Sequence, residues 1–282
     1  MLFTWLLAAP CGATIAVTDD GGRSVELARP AQRIVSLAPG ITELLFLLGA
    51  GDRIVAASEY SDFPSAARQL PRVSRAQGID LERIAALQPD LIVVWGSGYA
   101  PALLHGVQAL GVPTYEYEPR TLESIATSIE RLGALTASAG APAISAEFRG
   151  RLAALRQRYG QRAPVRVFYQ VWGNPIMTLS GRHLVSEVMR ICGARNVFDA
   201  LAPLVATVDI ESIIAARPEV IIAAESGAID RGALDSWRRY PQVPAVAHDR
   251  LITLDADKLD RASVRILEAA STLCEQVERA RH

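Results

Sequence analysis

The sequence predicts an α/β protein of two Rossmann-like lobes, each with a central, mostly parallel sheet, the lobes joined by a helical segment. Three observations predict it. Strand-like and helix-like segments alternate through both halves with short connections. Segments such as DLIVVW are apolar throughout, without the every-second-residue pattern of a half-exposed strand, as expected for a parallel sheet covered on both faces. A pattern also recurs. Asp80-Leu81-Glu82-Arg83-Ile84, then Pro89-Asp90-Leu91-Ile92-Val93, returns in the second half as Asp209-Ile210-Glu211-Ser212-Ile213, then Pro218-Glu219-Val220-Ile221-Ile222. A second echo pairs Thr42-Glu43-Leu44 and Gly49-Ala50 with Ser186-Glu187-Val188 and Gly193-Ala194.

The elements follow in order. ATIAVTDDGGRSVEL reads as a hairpin turning at Asp19-Asp20-Gly21-Gly22. RIVSLAP is a buried strand, ITELLFLLGAG a helix stopped by Gly49 and Gly51, and RIVAAS a further strand. DLERIAALQ is a helix ended by Pro89, DLIVVW a strand, Pro101 to Leu110 a helix, and VPTYEYE a strand. TLESIATSIERLGALT is helical. PAISAEFRGRLAALRQRYG carries Ile144, Phe148, Leu152, Leu155 and Tyr159 at helical spacing, with Pro142 suited to the first turn. The alternation then resumes with VRVFYQVW, LVSEVMRICGA, DIESIIAARP, EVIIAA, a helix near Leu234 to Tyr240, LITLDA and a final helix from Arg261.

The first residues, MLFTWLLAAPCGATIA, have the apolar run and small-residue zone of a secretory signal, although no Lys or Arg precedes the run. The signal segment is placed at 1–13; cleavage after Ala13 or Ala16 fits. Pro10 before Cys11 is a poor match to a lipid-attachment site. Without the leader two cysteines remain, Cys192 and Cys274, which an exported chain would pair and a cytosolic one would keep as buried thiols. Lys plus Arg total 29 against 30 Asp plus Glu, a formal net charge of -1, which lacks the basic surplus of nucleic-acid binders.

Catalytic patterns are weak. There is no G-x-S-x-G, no H-E-x-x-H and no Walker loop, and His105, His183, His248 and His282 stand far apart in the chain. Their bland role is surface or cap. Aromatic residues are more suggestive. Tyr60 and Phe63 follow one strand, Trp95 and Tyr99 flank Gly96-Ser97-Gly98, and Trp172 lies in QVWGNP. All fall near expected strand ends, where α/β proteins place ligands. They would line an interlobe cleft for a large, flat, apolar ligand, with Arg75, Asp257 and Arg261 as polar contacts; core packing is the alternative. Asp80 and Asp209 are expected helix caps, leaving Glu82 and Glu211 in the first turns. Helix stability alone accounts for such carboxylates. As a pair in equivalent places, they could instead dock on a partner with basic sites.

The stretches RIVSLAPGITELLFLLGAG, YSDFP, QGIDLERIAALQPDLIVVW, the NP of QVWGNP, EVMRICGARNVF and DRASVRI resemble the periplasmic vitamin B12-binding proteins, the substrate-binding components of cobalamin ABC importers, within the wider siderophore, haem and corrinoid class. The resemblance runs over nearly all the chain after the leader. It implies two lobes bridged by a single long α-helix, with an N-terminal lobe at 14–141, a linking helix at 142–160 and a C-terminal lobe at 161–282. It implies a monomer in the periplasm that carries cobalamin as transported ligand, uses no cofactor, metal or catalytic group, binds no nucleic acid and delivers to an ABC permease dimer. Glu82 and Glu211 fall on the family's permease-docking glutamates, and Cys192 and Cys274 on its disulfide. Tyr60 and Trp95 match aromatic residues facing the corrinoid, Asp257 an acid near it, and Trp172 aligns with a shift of about one residue. Ala76 and Val205 stand where the family places tryptophans. That departure keeps a shifted or related corrinoid such as cobinamide in view, and beyond it haem, with Tyr60, Tyr99 or a histidine as axial group, or a ferric siderophore. A cytosolic two-lobed α/β enzyme is the alternative from another class.

Overall fold

The computed structural model describes residues 14–75, 78–225 and 232–282. The leader at 1–13 and Ala76 lie outside the described residues. The chain divides into two compact units. The first runs to Glu118 and adds Glu130–Ala141; the second comprises Pro119–Ile129 and Pro142–His282.

In the first unit, β1 (Ile15–Thr18) and β2 (Ser24–Leu27) form the expected antiparallel hairpin. Gly22 turns it at φ 83°, in the left-handed region that glycine enters without steric cost. Next come β3 (Ile34–Leu37), α1 (Pro39–Leu47), β4 (Ile54–Ser58), β5 (Arg72–Arg75), β6 (Gly78–Ile79), α2 (Leu81–Ala86), β7 (Leu91–Trp95), α3 (Pro101–Gln108) and β8 (Thr114–Tyr117). They build a six-stranded sheet in the order β6-β5-β4-β3-β7-β8, parallel except for β6. Alternating side chains of a strand point to opposite faces. Val35, Leu37, Ile92 and Val94 accordingly pack with Ile84 of α2 and Val107 of α3. Ile34, Leu91 and Val93 are equally buried on the opposite side. Both faces are covered, which is why these strands are apolar without alternation. Each fully buried Ile or Leu side chain contributes about 2 kcal/mol.

Helix α4 (Leu122–Thr136) is shared between the two units, and α5 (Ala141–Tyr159) belongs to the second from Pro142 onward. The second unit continues with β9 (Val165–Gln170), β10 (Trp172–Gly173), β11 (Ile176–Leu179), α6 (Leu184–Ile191), β12 (Ala194–Asn196), β13 (Val205–Thr207), α7 (Ile210–Ala216), β14 (Val220–Glu225), α8 (Pro244–Ala247), β15 (Leu251–Asp255), α9 (Ala256–Leu259) and α10 (Ile266–Arg279). Its main sheet is parallel, ordered β12-β9-β14-β15, and a small antiparallel sheet runs β10-β11-β13. Phe168, Ile221 and Trp237 anchor one core cluster, with the Phe168 and Trp237 rings edge to face at 5.5 Å. The Trp237 indole N–H donates to Gln170 Oε1 at 2.7 Å, satisfying both buried polar groups.

The repeated sequence pattern is one physical module built twice. Asp80 accepts from Arg83 N at 2.9 Å, and Asp209 from Ser212 N at 2.6 Å, so each caps its helix. Gln88 and Arg217, each directly before proline, take left-handed φ of 48° and 47° and close the helices. The acid after each proline then grips the neighbouring strand. Asp90 accepts from Arg33 N at 2.8 Å, and Glu219 from Arg166 N at 2.8 Å. Each arginine returns its guanidinium to a carbonyl at the helix end, Arg33 to Leu87 and Arg166 to Ala216.

Cys192, at the end of α6, and Cys274, within α10, are joined as a disulfide, and both are buried. Several elements differ from expectation. Strands β5 and β6 and the small sheet carry too few residues to show a period. The segment near Leu234 to Tyr240 is a tight 3-10 turn, Asp235–Arg239. The last helix starts at Ile266 instead of Arg261, because Asp255 caps a separate short α9 through Asp257 N at 3.0 Å and Ser263 Oγ accepts from Arg265 N before α10 begins. Among the described residues, no helix is long and apolar enough to cross a membrane.

Candidate functional site

In each unit the candidate ligand residues emerge where parallel strands end. In the first, Tyr60 follows β4, Arg75 ends β5 and Trp95 ends β7. Their chain positions oblige this, because parallel neighbours finish at the same edge of the sheet. Exposed apolar area becomes informative where several such side chains gather. Here Tyr60 is 66% exposed, Trp95 44% and Phe63 46%. Tyr60 also holds a left-handed backbone, φ 62°, which is uncommon for a tyrosine.

The Trp95 indole lies against a turn made for it. A Cβ on Gly98 would come within 3.0 Å of Trp95 Cγ and closer still to its six-membered ring. Ser97 donates from its N–H and its hydroxyl to the Glu118 carboxylate, at 2.7 and 3.0 Å, tying this turn to the chain beyond β8. Glu118 N in turn donates to Asp20 Oδ2 at 2.9 Å, so the N-terminal hairpin braces the same turn.

Tyr99 differs from its companions. Its ring is half-buried against the core, and its hydroxyl shares a hydrogen bond of 2.8 Å with Ser74 Oγ. Burial pushes this phenol above its ordinary value, and the Ser74 bond opposes that shift only in part.

In the second unit, Trp172 stands 54% exposed on β10, with its indole N–H donated to Asn174 O at 2.8 Å. Pairing sets Trp172 opposite Met177, Met177 opposite Thr207 and Leu179 opposite Val205, which places Trp172, Met177 and Val205 on one face of the small sheet. Val171, Leu204 and Val205 are further exposed apolar side chains of this region. Nothing in the sequence marks Val171 and Leu204, because only their solvent exposure distinguishes them from core residues. Asp257 and Arg261, one turn apart, form an ion pair at 2.8 Å on the chain that follows β15. Beside them Asp260 accepts from Tyr169 Oη–H at 3.0 Å. Asp260 as a residue keeps solvent contact, yet the protein atoms crowding its carboxyl push it up to about 6. The Tyr169 bond opposes this shift and Asp257 adds to it.

Glu82 and Glu211 occupy equivalent first-turn positions of α2 and α7 and are exposed. Asp209, the N-cap of α7, is held below the usual carboxylate range by its hydrogen bonds to Ser212. His183 is a cap: its Nδ1 accepts from Val185 N at 3.2 Å, and burial pulls the imidazole below its ordinary value. No group of three or more His, Cys, Asp or Glu able to hold a metal occurs among the described residues.

A family model for periplasmic binding proteins matches residues 34–258. The chain is 39% identical to the vitamin B12-binding protein of Vibrio campbellii over 254 residues, 89% of this chain and 91% of that protein. It is 37% identical over 252 residues to the protein of the same name from Yersinia pestis, covering 89% and 88%. Among solved structures, the periplasmic vitamin B12 binding protein BtuF of Vibrio cholerae superposes with a TM-score of 0.82 at 39% identity, covering 89% of this chain and 98% of that one. The periplasmic heme-binding protein BhuT reaches a TM-score of 0.78 at 24% identity, covering 89% and 99%, which shows a shared fold. The two-unit α/β architecture and these matches along most of its length make the chain a member of the periplasmic binding protein family.

Proposed function

We propose that this protein captures cobalamin, or a closely related corrinoid, in the periplasm and delivers it to the permease of an ABC importer. One observation carries the reading: 39% identity to a vitamin B12-binding protein across 89% of the chain. The surface chemistry supports it. Tyr60, Trp95 and Trp172 offer flat apolar area at strand ends, while Arg75, Asp257 and Tyr99 supply polar groups for the amides of a corrin ring. Such a protein returns its ligand chemically unchanged and is no enzyme. In the same reading, Glu82 and Glu211 each meet one half of a permease dimer, the carrier is a monomer, residues 1–13 are its export signal, and α5 is the linking helix at 142–160 between lobes at 14–141 and 161–282.

Haem is the less favoured ligand. The haem-binding relatives of known structure share only 19 to 24% identity and speak for fold alone. Tyr99, one of the expected axial groups, is half-buried with its hydroxyl already hydrogen-bonded to Ser74. Titration with cyanocobalamin, followed by absorbance and calorimetry, tests the reading. One-to-one saturation is expected. Absent heat with cyanocobalamin, together with tight binding of hemin, would overturn it.

A further inference from the structure

The turn that carries Tyr60 rests on a chain of buried hydroxyls. Ser36 on β3, Thr42 on α1, Ser58 at the end of β4 and Ser61 just beyond it are all buried. Ser36 Oγ lies 2.8 Å from Thr42 Oγ1, Thr42 Oγ1 donates to Ser61 Oγ at 3.0 Å, and Ser61 Oγ lies 3.1 Å from Ser58 Oγ. One direction of donation, Ser36 to Thr42 to Ser61 to Ser58, uses each proton once, with the Ala38 carbonyl as a second acceptor 3.2 Å from Thr42 Oγ1 and 3.4 Å from Ser36 Oγ. From the other side, Arg72 Nη2 donates to the Ser61 carbonyl at 2.8 Å.

These contacts hold the residues on both sides of Tyr60 while leaving its ring in water. The turn needs holding. A non-glycine residue in the left-handed region costs roughly 1–2 kcal/mol, which the surrounding structure must offset. Four hydroxyls also form a costly core unless each is satisfied, so the network is worth more as a clamp than as packing. Thr42 is its central member, because it alone joins the α1 side of the chain to the β4 side.

We propose that Thr42 is a positioning residue for ligand binding: through Ser61 it fixes the left-handed turn that presents the Tyr60 ring. Thr42 itself is fully buried, beneath the surface a ligand can reach. The inference rests on the reading of Tyr60 as a ligand contact. It assigns the pre-organisation of that contact to a side chain one layer below the surface, which lowers the entropy lost on binding.

The test compares Kd for cyanocobalamin in wild type, Thr42→Val, Thr42→Ser, Tyr60→Ala and the double variant Thr42→Val/Tyr60→Ala. Thr42→Val should weaken binding roughly three- to tenfold, the worth of one pre-ordered aromatic side chain. Thr42→Ser should restore it, and Thr42→Val should add nothing once Tyr60 is gone. Equal losses with and without Tyr60, or none at all in Thr42→Val, would overturn the proposal. Amide exchange at residues 59–62 of the ligand-free protein judges the turn separately. Faster exchange in Thr42→Val is expected, and unchanged exchange would overturn the clamp. Wild-type affinity in Tyr60→Ala would instead overturn the reading of Tyr60 as a contact, leaving the exchange result to decide the clamp. If Thr42→Val loses cooperative unfolding, Ser61→Ala removes that bond, together with the one to Ser58, from the loop side, and the same comparison with and without Tyr60 decides the proposal.

Discussion

Gly98 and Trp95 exclude any side chain between them: the indole lies where a Cβ on residue 98 would be, with Cγ already at 3.0 Å. Trp95 is therefore aimed by a glycine three residues on, while Glu118 pins the intervening Ser97. Gly98→Ala should turn the indole aside and weaken corrinoid binding about tenfold, the equivalent of ~1.4 kcal/mol. Fluorescence quenching titrations measure this, and unchanged affinity would show that Trp95 is not a contact.

The equivalent carboxylates of α2 and α7 make a prediction about transport. Glu82 and Glu211 are exposed, and the capping is done by Asp80 and Asp209. Replacing both glutamates by alanine should therefore leave folding and ligand affinity intact while impairing uptake by cells that depend on this carrier. Wild-type uptake would dismiss docking and return both residues to helix-end electrostatics, worth about 0.5 kcal/mol each.

The Cys192–Cys274 disulfide spans a sequence separation of 82 residues and ties α6 to α10. Closing a loop of that size in the unfolded chain corresponds to about 4.5 kcal/mol. The Cys192→Ser/Cys274→Ser variant should lose stability on that scale in urea denaturation. A loss below about 1 kcal/mol would mean the bond does not constrain the unfolded state.

Asp260 sets a pH dependence. Its carboxyl is raised from the ordinary 3.8 to about 6. Between these values the folded protein holds a proton that the unfolded chain has released. Stability from this group is therefore full below about pH 4, declines as pH rises toward 6 and is flat above. Asp260→Asn should remove that component. Denaturation midpoints of wild type and variant compared at pH 4.5 and pH 7 measure it, and parallel profiles would place the Asp260 pKa near its ordinary value.

Much of this was legible in the sequence because it is local. Asp80 and Asp209 cap their helices as expected, since a cap needs only its own first turn. DLIVVW is a covered parallel strand because burial on both faces leaves an apolar run. The small sheet of β10, β11 and β13 was not legible: its strands are two to four residues long, and its β11–β13 pairing joins positions more than twenty residues apart. The same holds for the tilt of Tyr60 into the left-handed region. Nothing in YSDFP declares it, because its support comes from Thr42 and Arg72.

The sequence by itself determined the α/β class, the repeated module, the pairing of Glu82 with Glu211 and the family. Each is written in short-range spacing or in identity along the chain. Tertiary structure decided which aromatic residues face water, that Tyr99 is instead drawn toward Ser74, and that Trp95 and Tyr60 are held from beneath. These depend on side chains brought together from distant segments, and exposure follows from what else packs nearby.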